Sequence, residues 1–107
     1  MRDEKVIPKA VRTVVCAMCA DYFRRKLAIE KHTVSLRTKN EYKYYNFKIY
    51  DAVVEIIGAR YAEDIIREIG ENVGYAKTDI PIYAETAYKY KKRAIINNIA
   101  RKLRLID

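Results

Sequence analysis

Residues 43–73 read KYYNFKIYDAVVEIIGARYAEDIIREIGENV. Within this stretch Phe47, Tyr50, Val53, Val54, Ile57, Tyr61, Ile65, Ile66 and Ile69 return at intervals of three and four. That period is the apolar stripe of an amphipathic helix. The spacing predicts one long middle helix over about 43–73. Gly58 interrupts the pattern. A central Gly costs about 1 kcal/mol relative to Ala, so it marks a close helix crossing or a break. Glu71-Asn72-Val73-Gly74 is the stop signal, with Gly placed to cap the C-terminus.

Two further blocks flank this one. On the N-terminal side a helix is expected over about 8–31. Pro8 suits its first turn, and Val11, Val14, Val15, Met18, Cys19, Tyr22, Phe23 and Ile29 form its apolar face. Its end is basic, with Arg24-Arg25-Lys26 and Lys31. These cations complement the helix dipole or meet phosphate. Val34-Ser35-Leu36 is too short to carry a sheet, and Arg37-Thr38-Lys39-Asn40 reads as a loop. On the C-terminal side Thr78 or Asp79 is the expected cap and Pro81 the first turn of a helix over about 81–105. Its apolar face is Ala87, Tyr88, Ala94, Ile95, Ile96, Ile99, Ala100, Leu103 and Ile106. Short extra turns are expected near 33–41 and 75–80. The fold class that follows is all-α. It is a small bundle of about three main helices in a single domain, 1–107, and the last is a candidate recognition helix of a helix-turn-helix-like unit.

Composition narrows the function. The chain has 107 residues, half of them hydrophobic, with only 3 Gly and 2 Pro. A real core is within reach at this size. Disorder, collagen-like repeats, a Gly-rich phosphate loop and a turn-dense β-sandwich are disfavoured. Lys and Arg number 22 against 14 Asp and Glu, a net charge of +8. The charge is segregated: residues 1–50 carry net +7, residues 51–85 net −5 and residues 86–107 net +6. An acidic middle helix therefore lies between two basic segments, and mutual pairing cannot absorb the whole excess. A polyanion or an acidic partner is the expected target. The mixed-charge start Met1-Arg2-Asp3-Glu4-Lys5 precedes no apolar run of signal-peptide type. Together with two cysteines this suggests a cytoplasmic protein, with no membrane partner.

No catalytic constellation emerges, and no cofactor is expected. Cys16 and Cys19 form a C-x-x-C. Zinc needs four ligands, and the single His32 cannot complete the shell. A redox motif belongs in a βαβ setting, which is absent. Both cysteines are therefore expected to be small core residues, and His32 a surface or capping group. Glu63, Asp64 and Glu68 are expected on an exposed acidic helix face, with no metal bound.

The last helix carries the functional signal. Thr86, Lys89, Tyr90, Arg93, Asn97 and Arg101 fall at the helical spacings of three and four, with Lys89 and Tyr90 adjacent, so they share a face. Arg and Lys suit guanine edges or phosphates, and Asn suits adenine edges. Lys91 and Lys92 add charge on the flanks, where backbone contacts would be made. The stretch Ile82–Leu103, with Thr86, Tyr88 and Lys89, then Ala94-Ile95, then Ile99-Ala100-Lys102-Leu103, resembles the C-terminal element of small phage and prophage transcriptional regulators. These are of the RinA and ArpU type, distantly similar to sigma-factor region 4. The N-terminal stretch Pro8–Arg25 has a similar look. Tyr83 stands where that family has a capping Ser. The resemblance implies duplex DNA as ligand and Thr86, Lys89, Tyr90 and Arg93 as contacts.

The expected function is thus a phage-type DNA-binding transcriptional regulator without catalysis. Its site would be Thr86, Lys89, Tyr90, Lys92, Arg93, Asn97 and Arg101, and its partners duplex DNA, RNA polymerase and a second copy of the chain. The alternative is a helical protein-interaction or phage assembly adaptor module whose basic surface confers solubility. A third option is single-strand binding through the 10 tyrosines, since Tyr interleaved with Lys can stack on bases.

Overall fold

The computed structural model describes residues 7–106, so the mixed-charge N-terminus lies outside the described residues. The described chain is helical, without strands. It runs α1 (Lys9–Ala20), α2 (Tyr22–Lys31), α3 (Leu36–Ile57), α4 (Ala62–Gly70), a 3-10 turn (Tyr75–Lys77) and α5 (Glu85–Lys102). The small helical bundle is as expected, but each long block is cut differently.

The N-terminal block breaks at Asp21. Arg25 is 3% exposed and reaches back, so that its Nη2 donates to the Met18 carbonyl at 2.7 Å. A side chain thus serves a carbonyl at the end of α1, where helix carbonyls lose their backbone partners. Asp21 Oδ2 accepts from Arg25 Nη1 at 3.2 Å, and Asn46 Oδ1 of α3 accepts from Nε at 2.7 Å. The Asn46 amide closes the loop by donating to the Tyr22 carbonyl at 3.1 Å. Arg25, expected on a basic surface, is instead a buried strut between α2 and α3. His32 ends α2 in the left-handed conformation (φ 54°), a capping role as expected.

Arg37–Asn40 is helical, which corrects the expected loop. Ser35 is the N-cap, and its Oγ accepts from the Thr38 N–H at 3.3 Å. This cap supplies an acceptor to a helix end that otherwise lacks one. The middle block does break at Gly58, whose φ of +87° is unfavourable for any residue with a Cβ. The chain restarts as α4 at Ala62.

The last helix begins at Glu85, four residues later than expected, and Pro81 lies before it. The reason is that Thr78 and Asp79 do not cap α5. They bond to Glu68 of α4 instead: Thr78 Oγ1 donates to Oε1 at 2.6 Å and the Asp79 N–H to Oε2 at 2.8 Å. Residues 71–84 therefore form a long connector containing the 3-10 turn. A helix-turn-helix unit has a turn of three or four residues, so α4 and α5 depart from that pattern.

The core gathers Val15 and Cys19 of α1, Ile49 and Val53 of α3, Ile65, Ile66 and Ile69 of α4, and Ile95, Ile96 and Ile99 of α5. Helices α1 and α4 meet at their C-terminal ends. A Cβ placed on Gly70 would lie 2.6 Å from the Ala20 Cα and 2.7 Å from its nitrogen. Only a glycine allows this approach, because the obstacle is backbone and cannot swing away. Cys16 and Cys19 are both free, and Cys19 is fully buried. Its burial pushes the Cys19 thiol up to about 12.

Three measurements check this account. Gly70→Ala should destabilise by about 1–3 kcal/mol through overpacking, whereas Gly74→Ala, with nothing near the added carbon, should stay within about 0.5 kcal/mol; denaturant midpoints decide. Asn46→Ala leaves the buried guanidinium short of an acceptor and should cost about 2–3 kcal/mol. Alkylation of the native protein at pH 8 should modify Cys16 but spare Cys19 until the chain is unfolded, because the thiolate is the nucleophile.

Candidate nucleic-acid interface

Helix α5 has two halves of different character. Over Ala94–Ile99 it runs through the centre of the bundle, with Ala94, Ile95, Ile96 and Asn97 buried in succession, then Ile99 and Ala100. Helices α1 and α3 both pack on it. Over Glu85–Arg93 it stands out of the core, and only Tyr88 is buried.

This division splits the polar face that the spacing predicts. Thr86, Lys89, Tyr90 and Arg93 are exposed on the projecting half. Asn97 is 1% exposed, which removes it from any surface contact. Its place on the helix wheel is polar, but neighbouring helices close over α5 at this turn. Arg101 is exposed beyond the buried turns. It lies beside Lys48 and Arg104 in a separate basic cleft rather than with the first group. Lys92 is half-buried: its Nζ donates to the Val73 carbonyl at 2.6 Å and lies 5.5 Å from the centre of the Tyr88 ring. Desolvation holds the Lys92 ammonium below its ordinary value.

The projecting half is held in place by one buried carboxylate. Glu68 of α4 is 0% exposed. Besides Thr78 and the Asp79 N–H, it accepts from the Tyr88 hydroxyl at 2.8 Å. Glu68 therefore does not belong to an exposed acidic face, as its sequence position suggests. Burial and the neighbouring Glu68 push the Tyr88 phenol up to about 12, so it remains a donor at neutral pH.

The electrostatics of the exposed patch are simple. Lys89 pairs with Glu85 one turn back on its own helix, at 2.8 Å and largely in solvent. Such pairs are worth about 0.3–0.5 kcal/mol and are readily exchanged. Arg93 and Arg12 make no ion pair among the described residues. Apart from Glu85, the paired carboxylates of the acidic middle segment meet cations elsewhere. Lys102 bonds Glu55 at 2.8 Å, Lys26 bonds Glu63 at 2.7 Å, and Arg67 bonds Glu71 and Asp79, each at 3.2 Å. None of these pairs uses Lys89 or Arg93.

One residue joins the patch that helical spacing did not point to. Arg12 comes from α1, 74 positions before Thr86 in the chain, and shares a cleft with Lys89, Lys92 and Arg93. Tyr83, just before α5, is 88% exposed. No within-helix spacing could have found Arg12, because its membership depends on how α1 crosses α5. Among the described residues no three His, Cys, Asp or Glu side chains gather to hold a metal, and no helix is long and apolar enough to cross a membrane. Comparisons with protein-family models, with curated proteins and with solved structures find no match to this chain.

Proposed function

We propose that this chain binds duplex DNA through the projecting half of α5 and acts in the cytoplasm as a phage-type transcriptional regulator without catalysis. The observation that carries the reading is the first three turns of α5. They expose Thr86, Lys89, Tyr90 and Arg93 together, and their cations are not consumed by the acidic helices. Recognition helices commonly present their N-terminal residues to the groove while the rest anchors in the domain. Here the C-terminal half of α5 is the anchor, and the basic N-terminal half is free to enter a groove. The excess of +8 supplies long-range attraction for a polyanion. The resemblance to RinA- and ArpU-type regulators points the same way, with RNA polymerase and a second copy of the chain as further partners.

A second reading has its own observation. Leu27, Leu36, Tyr44 and Phe47 on α2 and α3 are exposed. An apolar cleft of about 450 Å³ is lined by Val14, Met18, Tyr42, Tyr45, Leu103 and Leu105. Such surface favours a protein-interaction or phage assembly adaptor module.

Binding of the full chain to labelled random duplex DNA separates the two. Under the first reading the logarithm of affinity falls steeply with the logarithm of salt. The Lys89→Ala/Arg93→Ala variant then binds about tenfold or more weakly, with a salt slope smaller by roughly two. No binding at low salt removes the DNA reading and leaves the interaction module.

A further inference from the structure

The cleft between α1 and α5 has a composition that self-contained folding does not explain. Its volume is about 240 Å³, and four cations line it: Arg12 from α1 and Lys89, Lys92 and Arg93 from α5. No carboxylate lines it. Like charges brought together repel, and at the half-buried Lys92 desolvation adds to the cost. Lys92 is held below its ordinary value chiefly by desolvation, with Arg12 acting the same way and Cys16 and Glu68 opposing it. The three cations of α5 sit at positions i, i+3 and i+4, one turn of one helix face. Arg12 faces them from the other wall, so charge converges on the cleft from two helices. The wall at Gly74 carries no side chain, and nothing lies near the position its Cβ would take. The Tyr75 ring adds an apolar wall with a hydroxyl.

We infer that this cleft is a seat for a single phosphate group, with Arg12 as its second-helix clamp. The inference rests on, and deepens, the reading of α5 as a nucleic-acid surface. A phosphate oxyanion offers several acceptors to a fork of donors, which is what guanidinium groups suit and what Arg12 and Arg93 supply. Lys89 can leave its solvent-exposed pair with Glu85 for it, and Lys92 neutralises the inner end. The phosphate is a backbone diester or a terminal monoester, which share this chemistry. An anchored phosphate at the base of the projecting half would set the register of α5 on the duplex, as backbone contacts do in general.

The test uses the full chain and two probes. Arg12 is exposed, so Arg12→Ala should keep its fold, checked by circular dichroism. Lys31→Ala, an exposed cation on α2, is the comparison. With duplex DNA, Arg12→Ala should weaken binding about tenfold and lower the salt slope by about one, and Lys31→Ala should change the slope little. Wild-type binding with an unchanged slope in Arg12→Ala overturns the phosphate seat while leaving DNA binding intact. A gain on 5′-phosphorylating the duplex that disappears in Arg12→Ala assigns the seat to a terminal monoester, and equal loss on both duplexes assigns it to the backbone. If no duplex binds, inorganic phosphate titrated against chloride at constant ionic strength decides. A shift of the Gly74 amide resonance that Arg12→Ala abolishes supports the seat without DNA, and no shift overturns it.

Discussion

The buried carboxylate of Glu68 organises the part of the molecule that faces outward. It sits in α4 with no exposure, yet its two oxygens accept from Thr78, from the Asp79 backbone and from Tyr88. A buried polar group without partners would be costly, so these three bonds are a condition of the fold. Two of them fix the connector, one through a side chain and one through its backbone, and the third fixes α5 at its single buried residue before Arg93. The long segment 71–84 is therefore ordered against α4 rather than loosely looped. The first turns of α5 are held against α4 and the connector as a result.

A second buried polar group does the same work at the other end. Arg25 ties the break at Asp21 to Asn46 of α3 and to the Met18 carbonyl. Its charge is compensated by the Asp21 carboxylate at the α1–α2 junction. Helix α2 then packs on α3, while α1 is left to pack on α4 and α5. The close approach at Gly70 completes this arrangement by bringing α4 onto the end of α1. Arg12, two turns before Arg25's partner Met18, thereby comes to lie across from Lys92.

The charge pattern acquires meaning from these constraints. Residues 51–85 carry most of the acidic groups. Several of them pair with Lys26, Arg67 and Lys102, Glu68 enters a buried network, and Glu85 pairs with Lys89 on its own helix. Apart from the exposed Lys89–Glu85 pair, these pairs leave out the basic groups around the first turns of α5. The fold also gathers four cations, Arg12, Lys89, Lys92 and Arg93, around one cleft, and of these only Lys89 has a carboxylate partner among the described residues, the exposed Glu85 of its own helix. Concentrated charge on a projecting element is what steers a polyanion to a defined surface.

Much of this was legible in the amino-acid order. Apolar residues at steps of three and four identify the helices, because burial and the 3.6-residue period act on each segment locally. Gly58 marks a real break, and the segregation of charge by segment is visible without coordinates. Thr86, Lys89, Tyr90 and Arg93 are recognisable as one exposed face for the same local reason. What periodicity does not carry is which turn of a helix its neighbours cover. Asn97 and Arg93 look equivalent on the helix wheel, but the fold buries one and leaves the other in water. Glu68 and Arg25 read as surface charges, since only the surrounding helices supply the donors and acceptors that let them be buried. Arg12 joins the basic cleft through the crossing of α1 and α5. That proximity is a property of packing between distant segments, and only the tertiary structure decided it.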